Sequence, residues 1–302
     1  MTVLRTMTWA SMSPAQRAEL CARGIADIFD PGLRESIAAL IDDVKTNGDD
    51  AVCRALAKFD GVYLQPDQLA ISPDAIAAAK VPADLEAAIA HAIDNLRRFN
   101  TVLLERQSNW QTQIEPGLVA GEKVSPISSA GLFVPSGKAS YPSVAYQLGV
   151  PAVVAGVPDI ALVVPPKPGA KGDVDPAVLV VCRMLGISRV YRANGPAGIA
   201  ALGFGTQTIT PVRKIVGPGS PAVTCAQVEM QRHGVATMML LGPTESLVIA
   251  DETADPVRLA ADLLIEAEHG TDSSVVLVTT SSHLVSAVDR ELEQQVAELP
   301  PA

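Results

Sequence analysis

The stretch Gly131–Val164, GLFVPSGKASYPSVAYQLGVPAVVAGVPDIALVV, decides the fold. It opens with a short apolar run, Gly131 to Pro135, which reads as a strand ending in Pro-Ser-Gly. Tyr141 to Gly156 then carries helical spacing, and Asp159 to Val164 is again a short apolar run, closed by Pro165-Pro166. A strand, a helix and a second buried strand in about 35 residues is a βαβ unit, and such units make parallel sheets. The same stretch holds the most apolar part of the chain, Val144 to Pro165. Gln147, Gly149, Pro151, Gly156, Pro158 and Asp159 punctuate it, so it reads as helix, turn and strand rather than a membrane span.

The alternation continues toward the C-terminus. Asp175-Pro176 caps a helix that runs to Gly186, and Arg189 to Arg192 is a strand. Pro196 to Phe204 is a helix, Lys214 to Val216 a strand, and Pro221 to His233 a helix. Leu247 to Ala250, Asp255 to His269 and Ser274 to Thr279 repeat strand, helix and strand, and His283 begins the last helix. Toward the N-terminus the texture changes near Leu118. Residues 13–100 read as mostly helical, with starts at Ser13-Pro14, Pro31, Asp49, Ser72-Pro73 and Pro82. His91, alone on the Pro82 helix, reads as a surface or half-buried side chain.

Composition fits an α/β protein. Hydrophobic residues make 48% of the 302 but aromatics only 4%, so the core is built of Ala, Val, Leu and Ile, which suit helices on buried parallel strands. The length predicts about two domains. A net charge of −10 repels a phosphate backbone and argues against nucleic-acid partners. It does not exclude a nucleotide held by backbone dipoles. The four cysteines, Cys21, Cys53, Cys182 and Cys225, form no CxxC motif and read as free thiols of a reducing compartment. The N-terminus shows no apolar core of signal-peptide length, and the expected location is cytoplasmic.

In open parallel sheets ligands bind at the carboxyl ends of strands. The segments that fall there are Pro135-Ser-Gly137, Asn194-Gly195 and Gly217-Pro-Gly-Ser220. Gly242-Pro-Thr-Glu-Ser246, before a strand, offers the hydroxyl of Thr244. Read alone, each glycine loop is a capped tight turn before it is an anion site, and Thr244 caps local amides before it meets a substrate. Glu266-Ala-Glu-His269-Gly270 ends a helix. Residues three apart share a helix face, so Glu266 and His269 converge and can share a metal. The same pattern also describes a histidine on the helix dipole followed by a C-terminal glycine.

Together the stretches GLFVPSGKASYPS, VPAVVAGVPDIALVVPP, NGPAGIAALGFGT, KIVGPGSPAVT, LGPTESLVIADETADP and DLLIEAEHGTDSSVVLVTT resemble the histidinol dehydrogenase family, in its order and over nearly the whole chain. The resemblance implies an enzyme that oxidises a polar primary alcohol to a carboxylic acid through an aldehyde, with two hydride transfers to NAD and one zinc ion orienting the substrate. The family default is histidinol to histidine, in histidine biosynthesis. It implies an intertwined homodimer and two incomplete Rossmann-like domains with parallel sheets, preceded by an N-terminal helical region. On that pattern residues 1–30 are the helical segment, 31–125 plus 244–302 the first domain, and 126–243 the second, inserted domain.

Carried over residue by residue, the first two zinc ligands fall on Glu266, where the family has Gln, and His269. The substrate-contacting Ser falls on Thr244, which keeps the hydroxyl. The three NAD-contacting side chains fall on Phe133 in place of Tyr, Ala197 in place of Gln and Ser220 in place of Asn. All three differ, so cofactor contact is expected through backbone. The family's Glu-His general-base pair and its other two zinc ligands, an Asp and a His, are expected beyond residue 302. The chain alone is therefore expected to be inactive and to hold no catalytic residue. Two other readings stand beside the default: a relative acting on another polyol such as a sulfonated propanediol, and a non-catalytic pseudoenzyme.

Overall fold

The computed structural model describes residues 4–22, 30–135, 141–167, 172–238, 244–265 and 273–299. In chain order the helices α1 (Pro14–Leu20), α2 (Pro31–Asn47), α3 (Asp49–Ala55), α4 (Pro73–Ala78) and α5 (Ala83–Glu105) come first. A π-helical turn, Leu56–Asp60, continues α3. A hairpin follows, β1 (Trp110–Glu115) and β2 (Leu118–Glu122), and then the alternating part. That part comprises β3 (Ser129–Phe133), α6 (Pro142–Val154), β4 (Asp159–Val164), α7 (Pro176–Leu185), β5 (Arg189–Arg192), α8 (Gly195–Phe204), β6 (Lys214–Val216), α9 (Pro221–Gln231) and β7 (Ala236–Thr237). The last elements are β8 (Glu245–Ile249), α10 (Pro256–Leu264), β9 (Ser274–Val278) and α11 (Ser282–Glu298). The expected strands and helices from residue 129 onward are present within a residue or two. The part of the expected 255–269 helix after Ile265 lies outside the described residues.

Helix starts follow their local chemistry. Asp175 accepts from the Ala177 amide at 2.8 Å and Asp255 from the Val257 amide at 3.0 Å, each with proline in the first turn. Such caps fix where each helix leaves its strand.

The chain forms two compact units, Ile28–Leu241 and Met1–Asp27 with Gly242–Ala302. In the first, five parallel strands stand in the order β5-β4-β3-β6-β7. The chain moves outward from β3 through β4 to β5, then returns to the other side of β3 for β6 and β7. Right-handed crossovers then put the connecting helices on opposite faces before and after the return. Leu132, Val134, Leu162, Val164 and Val190 join α6 and α7 in one core. By strand alternation Phe133 belongs to the opposite face, toward α8.

The helices of residues 31–105 belong to this unit. Ile37, Ile41 and Val44 of α2 are buried, and α2 packs on α8 and α9. Ile89 and Ile93 of α5 join the core of α6 and α7. The segment around Ala70 pairs antiparallel with edge strand β5: the Ile71 amide donates to the Val190 carbonyl at 2.9 Å and the Arg192 amide to the Leu69 carbonyl at 2.8 Å. Backbone pairing to an open sheet edge satisfies groups that would otherwise face water, and it fixes residues 66–71 to this unit.

In the second unit β8 and β9 pair in parallel, and Val248, Val275 and Leu277 pack against Leu259, Leu263, Leu284 and Val288 of α10 and α11. The other side of this pair carries exposed Leu247, Ile249 and Val278. No described helix is long and apolar enough to cross a membrane.

Candidate dinucleotide crevice and metal-ligand segment

The strand order reverses at β3, so the switch point of the sheet, where ligands of such folds bind, falls at the carboxyl ends of β3 and β6. Gly217 forms one wall. A Cβ at this residue would stand 2.1 Å from the Phe133 carbonyl oxygen, so only glycine lets the two backbones approach. The Gln227 side chain, buried on α9, donates to the Gly217 carbonyl at 2.9 Å and holds the turn from behind. Two residues further, Pro218-Gly219 leads to Ser220, the N-cap of α9, whose exposed side chain caps no amide.

The glycine turn after β5 is held differently. Asn194 Oδ1 accepts from the Gly195 amide at 2.7 Å, and its Nδ2 donates to Asp60 Oδ1 at 2.6 Å. Asp60 closes the π-helical turn, so a residue far away in sequence fixes the mouth of α8. Burial pushes the Asp60 carboxyl above its ordinary range, and the hydrogen bond from Asn194 opposes that rise in part. Sequence reading missed Asp60. The available signal was slight: an acid before Gly61 at the end of an apolar helical pattern.

The expected cofactor residues all lie at this carboxyl edge. Phe133 ends β3, Ala197 lies in the first turn of α8, and Ser220 caps α9. Phe133 and Ala197 are each 1% exposed, so their side chains belong to the core and only backbone can face a ligand. Phe133 and Gly217 are in contact, and Ala197 lies beyond β4, on the far side of the sheet's centre.

The expected substrate and metal residues belong to the second unit. Thr244 is half-buried just before β8, and its carbonyl accepts from the Ser274 amide at 3.0 Å, adding a rung to the β8–β9 ladder. A depression of ≈ 590 Å³ lies at the carboxyl ends of β8 and β9, lined by Ile249, Asp251, Leu259, Val278, Thr279 and Thr280 among others. Glu266 and His269 lie outside the described residues, as does Pro135-Ser-Gly137 beyond its proline. Among the described residues no cluster of three or more His, Cys, Asp and Glu is placed to hold a metal.

A parallel sheet of this order, with glycine turns at the carboxyl ends of β5 and β6, defines a Rossmann-like α/β protein. Comparison with known proteins narrows this. The family model described as histidinol dehydrogenase matches residues 27–302. The chain is 39% identical over 302 residues to a histidinol dehydrogenase of Xanthomonas axonopodis pv. citri, covering 99% of this chain and 68% of that protein. It is 40% identical over 287 residues to "Histidinol dehydrogenase homolog 2" of Mesorhizobium japonicum, covering 94% of this chain and 64% of that one. The crystal structure of histidinol dehydrogenase from Elizabethkingia anophelis superposes with a TM-score of 0.83 at 37% identity, over 89% of this chain and 61% of that one. The chain therefore belongs to the histidinol dehydrogenase family, whose members are oxidoreductases acting on CH–OH groups. It spans roughly two thirds of the length of these relatives.

Proposed function

We propose that these residues supply the dinucleotide-binding half and part of the zinc shell of a cytoplasmic dehydrogenase, one that oxidises a small polar primary alcohol with NAD and works as a homodimer. Family membership supports the oxidoreductase class. The observation that carries the NAD reading is the strand-order reversal at β3 and β6, whose carboxyl ends lead through the Gly217–Gly219 turn to the N-terminus of α9. The α9 N-terminus after this turn offers free amides to a pyrophosphate, with the uncommitted Ser220 hydroxyl beside them. The four free cysteines suit a reducing compartment.

Zinc fits by donor chemistry: Glu266 offers an oxygen and His269 a nitrogen three residues apart, which is half of a four-ligand shell. When bound, the ion supplies a Lewis acid that orients the alcohol. Glu in place of the family's Gln adds a negative charge and strengthens the hold on a divalent cation. Thr244 offers its hydroxyl to a polar substrate, histidinol being the family default and a sulfonated propanediol an alternative.

The chain's own residues then bind and orient. The crevice holds the dinucleotide by backbone, Asn194 and Asp60 keep the α8 mouth in shape, and the buried Phe133 ring seals the floor. Calorimetric titration of the protein with NAD tests the reading; saturable one-to-one binding is expected, and none in folded protein would refute it. In protein that also carries the family's other two zinc ligands, metal analysis after dialysis should find zinc retained, and His269→Ala should lose it without loss of fold. Alcohol oxidation is read as NADH formation in protein that carries these residues together with the family's Glu-His pair.

A second reading is favoured by one observation. Phe133 and Ala197 present no polar side-chain atom to the crevice, which suits a binding subunit without catalysis. That reading predicts neither zinc nor NAD binding, so tight stoichiometric zinc rejects it.

A further inference from the structure

The adenosine ribose is the part of a dinucleotide that tells NAD from NADP. In doubly wound sheets of this strand order an acid at the carboxyl end of the second strand takes its 2′-hydroxyl. Here the second strand is β4, and it runs out in Val164-Pro165-Pro166-Lys167, without an acid. The described part of the loop after it has two, and both are committed: Asp175 caps α7 and Asp173 stands by the Arg192 guanidinium. Arg192, the cation that ends β5, is itself engaged with backbone. It donates to the carbonyls of Gly172 at 2.6 Å, Gln68 at 2.8 Å and Ala70 at 3.1 Å. A carboxylate does reach this edge, from the helical part of the chain. Asp60 ends the π-helical turn, and its Oδ1 accepts from Asn194 Nδ2 at 2.6 Å. Asn194 lies two residues past the end of β5, and β5 neighbours β4. Strands of a sheet stand ~4.8 Å apart, so this carboxylate sits roughly 10 Å along the edge from β3. A dinucleotide anchored by its pyrophosphate at the reversal reaches it with its adenosine ribose.

We propose that Asp60 is the residue that selects the adenosine ribose: its Oδ2 accepts from the 2′-hydroxyl of NAD and repels the 2′-phosphate of NADP. Two observations favour this over a purely structural contact. First, the carboxylate has an oxygen to offer. Asp60 is half-buried at the sheet's carboxyl edge, and it makes no hydrogen bond or ion pair among the described residues beyond the one to Asn194. Second, holding Asn194 asks only for an oxygen, and a neutral amide would supply one without sinking a charge. The chain places a carboxyl there although burial works against its ionisation, and no cation among the described residues offsets that. A hydroxyl of the ribose suits such a group. It donates to the carboxylate in a charge-assisted bond, strengthened where water is partly excluded, while a phosphate in the same place meets a like charge.

The inference rests on the NAD reading above, and the experiment separates the two. NAD, NADP and 2′-deoxy-NAD are titrated calorimetrically into the wild-type chain and into Asp60→Asn, with circular dichroism melts to show that both are folded. Asp60→Asn keeps an oxygen for Asn194 and turns the other carboxylate oxygen into an uncharged amide. The wild type should bind NAD about 100-fold more tightly than NADP, and about tenfold more tightly than the 2′-deoxy analogue. In Asp60→Asn the preference for NAD over NADP should fall by about tenfold or more, because the like charge is gone. A role confined to the shape of the α8 mouth weakens all three ligands alike. Unchanged ratios in the variant therefore overturn the proposal and leave the NAD reading standing. A wild type that takes NAD and 2′-deoxy-NAD equally also overturns it, and that comparison holds even where the variant fails to fold or to bind. A folded wild type that binds no dinucleotide overturns both readings.

Discussion

Gly217→Ala is the sharpest probe of the crevice. The added Cβ would stand 2.1 Å from the Phe133 carbonyl oxygen and 2.8 Å from the Phe133 Cβ, both fixed parts of β3. A comfortable carbon–oxygen contact is a little over 3 Å, so β3 and β6 must part by about 1 Å. Parting strains the ladder that pairs Gly131 with Ile215 and Leu132 with Val216. Losing one or two such bonds costs about 1 kcal/mol each, and overpacking adds about 1–3 kcal/mol. Gly217 also has φ of +148°, a further strain for alanine. With about 1–2 kcal/mol for that strain, the sum is about 3–7 kcal/mol. Gly186→Ala is the control, since Gly186 caps α7 at φ +73° with nothing within 4 Å of a new Cβ. It should cost only the conformational term, about 1–2 kcal/mol. Urea unfolding of the two variants measures the difference, and NAD titration of each at a temperature where it is folded measures the site. Gly217→Ala should lose most NAD affinity while Gly186→Ala keeps it. Equal destabilisation by the two, with NAD binding unaffected, would refute both the close approach and the placing of the cofactor there.

Two further outcomes follow from the buried polar groups. The folded Asp60 carboxyl holds its proton above the ordinary carboxylate pKa, so the native state binds more protons than the unfolded chain there, and stability falls as pH rises from the unfolded pKa through the folded one. Asp60→Asn keeps an oxygen for Asn194 and removes the buried charge; its melting temperature should exceed wild type at pH 7 and match it near pH 3, and a variant less stable at pH 7 would mean that the charge itself holds the α8 mouth. Burial pushes the Cys182 thiol up to about 12, and burial with Asp49 and Asp50 nearby pushes Cys53 up to about 11. With an aromatic disulfide reagent at pH 8, exposed Cys21 should react at once, while Cys182 waits for denaturant; rapid labelling of Cys182 in folded protein would contradict its place in the α7 core.

The parts of the fold that were legible are those whose pattern is set by burial. Ile160–Val164 is apolar throughout because both faces of β4 are covered, and Pro176 with Asp175 before it marks the start of α7 whatever the tertiary context. The β1–β2 hairpin was not read, although Pro116-Gly117 lies between Trp-Gln-Thr-Gln-Ile-Glu and Leu-Val-Ala-Gly-Glu. Its strands bury neither face within the chain, so the apolar and polar residues never sort into the clean alternation that marks a strand. Helix–sheet grouping was illegible for a different reason. Whether α2 and α5 cover one sheet or another depends on which apolar faces meet in space, and the stripe Ile37, Ile41, Val44 would suit either. The Asp60–Asn194 contact is of the same kind: two polar residues more than a hundred positions apart, joined only because α3 and its π-helical turn pack beside α8.

The burial of Phe133 and Ala197 changes what the departures from the family pattern mean. A side chain that reaches into the crevice is lost to the cofactor when it shortens, but one sunk in the core passes its effect through backbone position. Phe133 fills the space under α8 with its ring, and its carbonyl meets Gly217; in the proposed site a missing hydroxyl there removes one contact and leaves the wall in place. Ala197 lies fully buried in the first turn of α8, where a longer polar side chain would have to leave the core to reach a ligand. Ser220 alone keeps an exposed polar group at the edge, and it does so at a helix N-terminus, where free amides and the helix dipole already favour an anion. Affinity for a dinucleotide in such a site depends on how closely β3 and β6 approach, and therefore on the absence of one Cβ more than on any of the three exchanged side chains.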